Sequence, residues 1–215
     1  MQEFWYKEFD VSDHLPLGWQ KMILDVAQED AKFKVLVASS VTSRELTTQV
    51  RIPVFTVGGK LLSSRLPWLL DLYRGPFRDI AQTLTNEVVS VADDLRYAVN
   101  LNVQRGTEMR YECHVDSNPI EGLLYVTDQP PGRGGELVVA KDTQARGEDA
   151  IAHNTTRIHP KAGKLVFFDA RAHPHFVAPL TAPLDERVVV AMNYYVPSCP
   201  ESSRPADLNQ HLGIA

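Results

Sequence analysis

The chain has 215 residues, 44% of them hydrophobic and 23% charged, with a formal net charge of −5, the make-up of a globular domain with room for a buried core. An acidic total offers no general footprint for phosphate backbones, so no nucleic-acid partner is expected. No apolar run reaches membrane-spanning length and Met1-Gln2-Glu3-Phe4-Trp5-Tyr6-Lys7-Glu8 lacks a signal-peptide pattern, so a cytoplasmic chain without a membrane partner is expected.

In chain order, Leu15 to Ala27 carries Trp19, Ile23 and Val26 at helical spacing. Lys34–Ala38 and Gln49–Val57 read as strands, the second interrupted by Pro53, and Gly58-Gly59 reads as a tight turn. Leu66-Pro67-Trp68 opens a helix with proline near its first position, Gly75-Pro76 breaks it, and a second helical piece runs from Phe77 to about Leu84.

From Tyr97 the character changes to short β-rich runs: Tyr97–Gln104, Arg110–Asp116, Gly122–Thr127, Glu136–Ala140, Lys164–Asp169, Phe176–Ala178 and Arg187–Val196. Turn signals separate them, among them Gly106, Pro130-Pro131-Gly132 and Gly134-Gly135. Such spacing predicts a β-sandwich or barrel, with the preceding helices against one outer face. Ser198–Ala215 is polar and proline-bearing and reads as a tail or flap.

Within this β region, His114-Val115-Asp116 stands out. Residues i and i+2 of a strand share a face, so the imidazole and carboxylate project together while Cys113 and Val115 point away. Cys113 is therefore expected to pack structurally, and with only Cys199 besides it no disulfide framework is possible. A histidine from another strand would complete the two-histidine, one-carboxylate arrangement of non-haem Fe(II) sites. Two stand downstream, His173 and His175, followed by Arg187 at the start of an apolar strand. A rim arginine reaching water and a clamp on a carboxylate are both open readings of Arg187. His14, His153, His159 and His211 lack partners at useful spacing. Arg105 and Arg110 flank the turn before the ligand strand, where solvation or a grip on an acidic substrate are the alternatives. Asn102 and Asn193 are placed to touch substrate or to serve as structural amides.

These elements together resemble the Fe(II)/2-oxoglutarate-dependent dioxygenases, in particular the prolyl-hydroxylase-like group. His114-Val115-Asp116 with Ser117-Asn118-Pro119, Leu124-Tyr125-Val126-Thr127, Gly134-Gly135-Glu136-Leu137, Phe167-Phe168, Pro174-His175-Phe176-Val177 and Arg187 occur in the family's order over roughly residues 97–197. The resemblance implies one oxygenase domain over 1–215. Helix and strand support would span 1–95, a double-stranded β-helix (jelly-roll, cupin-like) core 96–197, and a tail or flap 198–215. It also implies His114, Asp116 and His175 as the Fe(II) ligands and as the catalytic set. His175 is favoured over His173 because Phe176-Val177-Ala178-Pro179 follows it as the family's distal ligand is followed. Arg187 and Tyr125 would hold 2-oxoglutarate, the co-substrate used with O₂.

Departures within the family carry information too. Halogenases of this kind replace the aspartate that Asp116 supplies, and nucleic-acid demethylases carry an arginine where Asn193 stands. The expected reaction is hydroxylation of an unactivated C–H bond in an amino acid, peptide or small natural-product intermediate. The alternatives are a protein-residue (prolyl-type) hydroxylase or oxygen sensor and, from another class, a non-oxidative metal-binding cupin-like protein.

Overall fold

A computed structural model describes residues 5–39, 41–46, 51–147 and 153–208. The N-terminal strand β1 (Tyr6–Asp10) precedes helix α1 (Trp19–Asp30), strands β2 (Lys32–Val37) and β3 (Arg51–Gly58), and helices α2 (Gly59–Arg65), α3 (Pro67–Arg74) and α4 (Pro76–Gln82). The short pieces β4 (Ser90–Val91) and α5 (Leu95–Ala98) lead into the β core. That core comprises β5 (Val99–Arg105), β6 (Tyr111–His114), β7 (Ile120–Tyr125), β8 (Leu137–Ala140), β9 (Thr155–Ile158), β10 (Lys164–Phe168), β11 (His175–Val177) and β12 (Glu186–Tyr195).

The strands form two antiparallel sheets. The larger has eight strands, ordered β1-β10-β7-β12-β5-β3-β2 with β4 also paired to β12, and the smaller is ordered β6-β11-β8-β9. From β5 onward the chain passes between the sheets at each connection except β8–β9, a pairing within the smaller one. This is the winding of a double-stranded β-helix, the expected core.

Alternation on β12 positions the site. Val188, Val190, Met192 and Tyr194 pack outward with Leu69, Tyr73 and Phe77 of the helices. Arg187, Val189, Ala191 and Asn193 face the space between the sheets. Each outward aliphatic side chain gains about 1.5–3 kcal/mol by burial, so the helices hold one wall of the cleft rigid. Tyr73 adds polar staples: its hydroxyl accepts from the Ala92 amide at 2.7 Å and donates to the Asn193 carbonyl at 2.7 Å.

Several boundaries move from their sequence expectations. Helix α1 starts at Trp19 because Pro16 and the left-handed Gly18 (φ 75°) occupy the approach. Gly58-Gly59 is no tight turn, since Gly59 begins α2. A Cβ there would collide with the carbonyl oxygens of Leu95 and Val99, so steric room explains the glycine. Pro53 lies within β3 opposite Val35, ahead of the stretch from Phe55 onward that pairs with β5. Gln49 lies outside the described residues. Strands β1 and β9 were not expected.

Of the expected tail, residues 198–208 pack back on the domain. Cys199 bridges to Val196, the Arg204 guanidinium lies 3.8 Å from the centre of the Tyr97 ring, and Ser39 donates to Asp207 at 2.9 Å. Leu208 reaches the cleft wall, and residues 209–215 lie outside the described segments.

Candidate active site

His114 ends β6 and His175 begins β11, and the two are direct cross-strand partners. Asp116 follows β6 after one residue, held by its amide bond to the Ala170 carbonyl at 2.9 Å. The result is a cluster whose ligand atoms all lie within 4.8 Å of one another. His114 Nε2 is 3.2 Å from Asp116 Oδ1, and His175 Nε2 is 3.5 Å from Asp116 Oδ2.

Backbone carbonyls set the imidazole tautomers. His114 Nδ1 donates to the Glu112 carbonyl at 2.7 Å and His175 Nδ1 to the His173 carbonyl at 3.0 Å. A carbonyl cannot donate, so the protons sit on Nδ1 and both Nε2 lone pairs point to the shared centre. Phe168 packs edge-on against His175, ring centres 4.8 Å apart. Burial works to raise the Asp116 pKa, but the charge of His175 and the bonds from both imidazoles outweigh it and hold the carboxyl well below its usual range. His175 is shifted down by burial and by the charge of His114. For His114, burial works to lower the pKa, but the hydrogen bond to Asp116 and the charge of that carboxylate outweigh it and raise it. The cluster thus offers an ionised carboxylate and two imidazole Nε2 atoms, the donor set that suits Fe(II).

His173 takes a different role. It is buried, with Nδ1 bonded to the Ala140 carbonyl at 2.9 Å, and its ring stacks obliquely near Trp5. Cys113 points away from the cleft and packs with Val138, Ala140 and Phe176.

Arg187 is the informative cation. It is 4% exposed, yet among the described residues its Nε and Nη2 have no hydrogen-bond partner, and neither has the buried Tyr125 hydroxyl. Its guanidinium carbon lies 5.5 Å from the centre of the Tyr125 ring. Burial lowers the Arg187 pKa, and burial raises that of Tyr125 against the pull of Arg187. A buried guanidinium without a counterion is costly, and an anionic ligand relieves it. The other basic candidates are engaged elsewhere. Arg110 pairs with Glu45 at 3.2 Å, Arg105 with Glu186 at 2.6 Å, and Arg171 bonds the Ser117 carbonyl and Cys199 Sγ. Gly135, at φ 73°, lets the chain pass the Arg187 stem, since a Cβ there would stand 3.1 Å from its Cδ.

One cleft holds the cluster and Arg187 together, with about 1190 Å³ of empty space counting its open mouth. Leu123, Leu137, Phe168 and Val189 give it an apolar interior, and Asn100, Asn102 and Asn193 a polar wall. Sequence reasoning missed Glu121. It is buried, accepts from Asn118 Nδ2 at 2.9 Å, and lines the same cleft. Burial first, then the charge of Asp116, push its carboxyl well above the usual range. The available signal was a glutamate at an inward position of an otherwise apolar strand, sharing a face with Leu123 and Tyr125.

The donors therefore fit a metal with a dicarboxylate co-substrate: two histidines and a carboxylate at one point, and within the same cleft a buried guanidinium with two unbonded nitrogens, backed by the Tyr125 ring. Residues 97–195 match the family model of the 2OG-Fe(II) oxygenase superfamily. Among solved structures, the chain is similar to the non-haem α-ketoglutarate-dependent carbocyclase SnoK from nogalamycin biosynthesis, at 17% identity and TM-score 0.63, covering 99% of this chain and 87% of that one. It is also similar to the epimerase SnoN in complex with Fe³⁺, α-ketoglutarate and nogalamycin RO, at 13% identity and TM-score 0.61, covering 93% and 84%. A prolyl hydroxylase from Trichoplax adhaerens, in complex with a hypoxia inducible factor peptide, matches at 19% identity and TM-score 0.52, covering 93% and 85%. At these identities the likeness speaks for the fold. No curated protein sequence matches the chain. Over residues 97–195 the chain thus carries the core of the 2OG-Fe(II) oxygenase superfamily, whose members are oxidoreductases that work with iron and 2-oxoglutarate.

Proposed function

We propose that this oxygenase hydroxylates an unactivated C–H bond of an amino acid, peptide or small natural-product intermediate. His114, Asp116 and His175 hold Fe(II), while Arg187 and Tyr125 hold the far carboxylate of 2-oxoglutarate. One observation carries the reading: buried Arg187, with Nε and Nη2 unbonded among the described residues, lines the same cleft as the His-Asp-His cluster and stands against the Tyr125 ring. A non-oxidative metal protein has no use for that second pair. Iron and 2-oxoglutarate, when bound, would let O₂ act as the oxidant, one oxygen atom going to succinate as CO₂ leaves and the other to the substrate carbon.

The protein's own part is positional. The carbonyls of Glu112 and His173 hold both imidazoles in the metal-binding tautomer. Arg187 presents two donors to a carboxylate, a match in geometry as well as charge. Leu123, Leu137, Phe168 and Val189 keep water from the reacting atoms.

The test is an anaerobic titration followed by exposure to air. One Fe(II) per chain should bind, and 2-oxoglutarate should then add a weak visible charge-transfer band. Air should convert 2-oxoglutarate to succinate, fastest when the true substrate is present. Iron binding without either the band or succinate would return the chain to the non-oxidative class.

A further inference from the structure

We propose that the substrate carries a protonated amine and that Glu121, with Asn193 beside it, is the group that recognises it. The proposal rests on the oxygenase reading of the same cleft.

The argument is one of charge and donor matching. The charged residues lining the cleft are Arg96, Arg110, Asp116, Glu121 and Arg187. Arg96 is clamped by Asp94 at 2.9 and 2.7 Å, and Arg110 by Glu45 at 3.2 Å. Asp116 lies between two imidazoles, and Arg187 has its own use for an anion. Glu121 touches no cation among the described residues: its hydrogen bonds come from the Asn118 amide and the Met192 backbone. A carboxyl buried in a cleft with only neutral partners is a costly element that a cationic ligand would relieve.

Its neighbour completes the pattern. Asn193 is the direct cross-strand partner of Glu121, on the inward face of β12. The Asn193 amide donates to the Tyr97 carbonyl, which leaves its side-chain oxygen as an acceptor. Carboxyl and carboxamide oxygens thus stand side by side with their neighbouring donors already committed. An ammonium has three donors and no acceptor, so it matches this pair of acceptor oxygens, and its charge would favour the ionised form of Glu121. At about 3.4 Å per residue, Asn193 stands roughly 20 Å along β12 from Arg187. Among the described residues the cleft is therefore polarised, with a cation that has no counterion at one end of the strand and an acid that touches no cation at the other. Between them Ala191 presents only a methyl group to the cleft, leaving space for the body of a substrate.

The experiment uses the protein loaded anaerobically with Fe(II) and 2-oxoglutarate, probed with the free amino acids, putrescine and glucosamine. Each is compared with its N-acetylated form. Binding is read from perturbation of the charge-transfer band and, independently, from thermal stabilisation of the metal-free protein. At least one amine should bind, and its N-acetylated form should bind about 10- to 100-fold more weakly, the worth of a charge-assisted hydrogen bond. Glu121→Gln keeps the shape and should lower affinity for that amine by a similar factor while abolishing discrimination against the acetylated form. Its 2-oxoglutarate affinity should stay within about twofold, because Arg187 lies elsewhere. Should Glu121→Gln not fold, Asn193→Ala carries the same test, with loss of amine affinity expected. Equal binding of amine and acetylated forms, no amine binding at all, or unaltered amine affinity in the variants would overturn the proposal. If no charge-transfer band forms in the first place, it is the oxygenase reading that fails.

Discussion

His114 and His175 sit opposite one another across the β6–β11 ladder, their ring centres 4.3 Å apart, and each is steered by a carbonyl two residues before it. Strand pairing therefore sets the separation of the two nitrogens, and the side chains need little rearrangement to share a metal. His114→Ala and His175→Ala should each largely abolish Fe(II) binding, since two remaining ligands do not make a facial triad. His173→Ala should keep iron binding and lose about 1–3 kcal/mol of stability through the unpaired Ala140 carbonyl. Anaerobic iron titration with urea unfolding of each variant separates the two effects. Loss of iron in His173→Ala alone would reverse the assignment.

Asp116→Gly should abolish hydroxylation, because it removes the one carboxylate of the cluster. Product analysis by mass spectrometry under air, once a substrate is in hand, measures this. Full turnover by Asp116→Ala without added carboxylate or halide would remove Asp116 from the ligand set.

Arg187→Ala should weaken 2-oxoglutarate binding by about 3–5 kcal/mol, since it leaves the ligand's carboxylate buried and unpaired. Arg187→Lys should recover part of that loss by restoring the charge without the fork. Iron affinity in the absence of 2-oxoglutarate should barely change in either variant. The charge-transfer titration under nitrogen gives the 2-oxoglutarate affinities, and an anaerobic iron titration without 2-oxoglutarate gives the iron affinity. Unaltered 2-oxoglutarate affinity in Arg187→Ala would contradict the assignment, and the paired states of Arg110 and Arg171 leave them poor substitutes.

Tyr73→Phe should cost about 1–3 kcal/mol of stability, because the Ala92 amide and the Asn193 carbonyl both lose their partner. Urea unfolding measures it directly. A change below a few tenths of a kcal/mol would mean that both groups find other partners.

Burial pushes the Cys113 thiol up to about 12, with the charge of Glu45 adding to the effect. The thiolate is the reactive species, so Cys113 should resist iodoacetamide in the folded protein at neutral pH and react fully in denaturant. Peptide mapping after labelling reads the two states. Rapid labelling of folded protein at Cys113 would show that the packing with Val138 and Phe176 opens readily.

The site's skeleton is legible in the sequence wherever a single strand dictates it. Alternation orients His114 and turns Cys113 away, but β6 ends at His114: Asp116 owes its place to the bond from its amide to the Ala170 carbonyl, and Val115, expected to point away, lines the cleft. The order of motifs points to Tyr125, His175 and Arg187, and the structure brings all three to the interior of the barrel. What local pattern misses depends on partners distant in sequence. Strand β1 exists because Tyr6–Asp10 lies along β10, a pairing no nearby residue announces. Strand β9, Thr155-Thr156-Arg157-Ile158, has little apolar alternation and is held by β8. Gly59 resembles half of a turn signal, but its need for a missing side chain comes from α5. Glu121 escapes for the same reason: its meaning appears only when Asn193 and Asp116 are seen around it.

The division of the site between layers has a mechanical consequence. His114 and His175 ride on the four-stranded sheet, whereas Arg187 rides on the eight-stranded one. A co-substrate gripped at both ends would act as a cross-brace between layers otherwise joined by loops and side-chain contact. Amide protons of β6 and β11 should then exchange more slowly when iron and 2-oxoglutarate are present together than with either alone. The added stiffness of the smaller sheet would be a property of the loaded enzyme, gained at each charging and surrendered at each turnover.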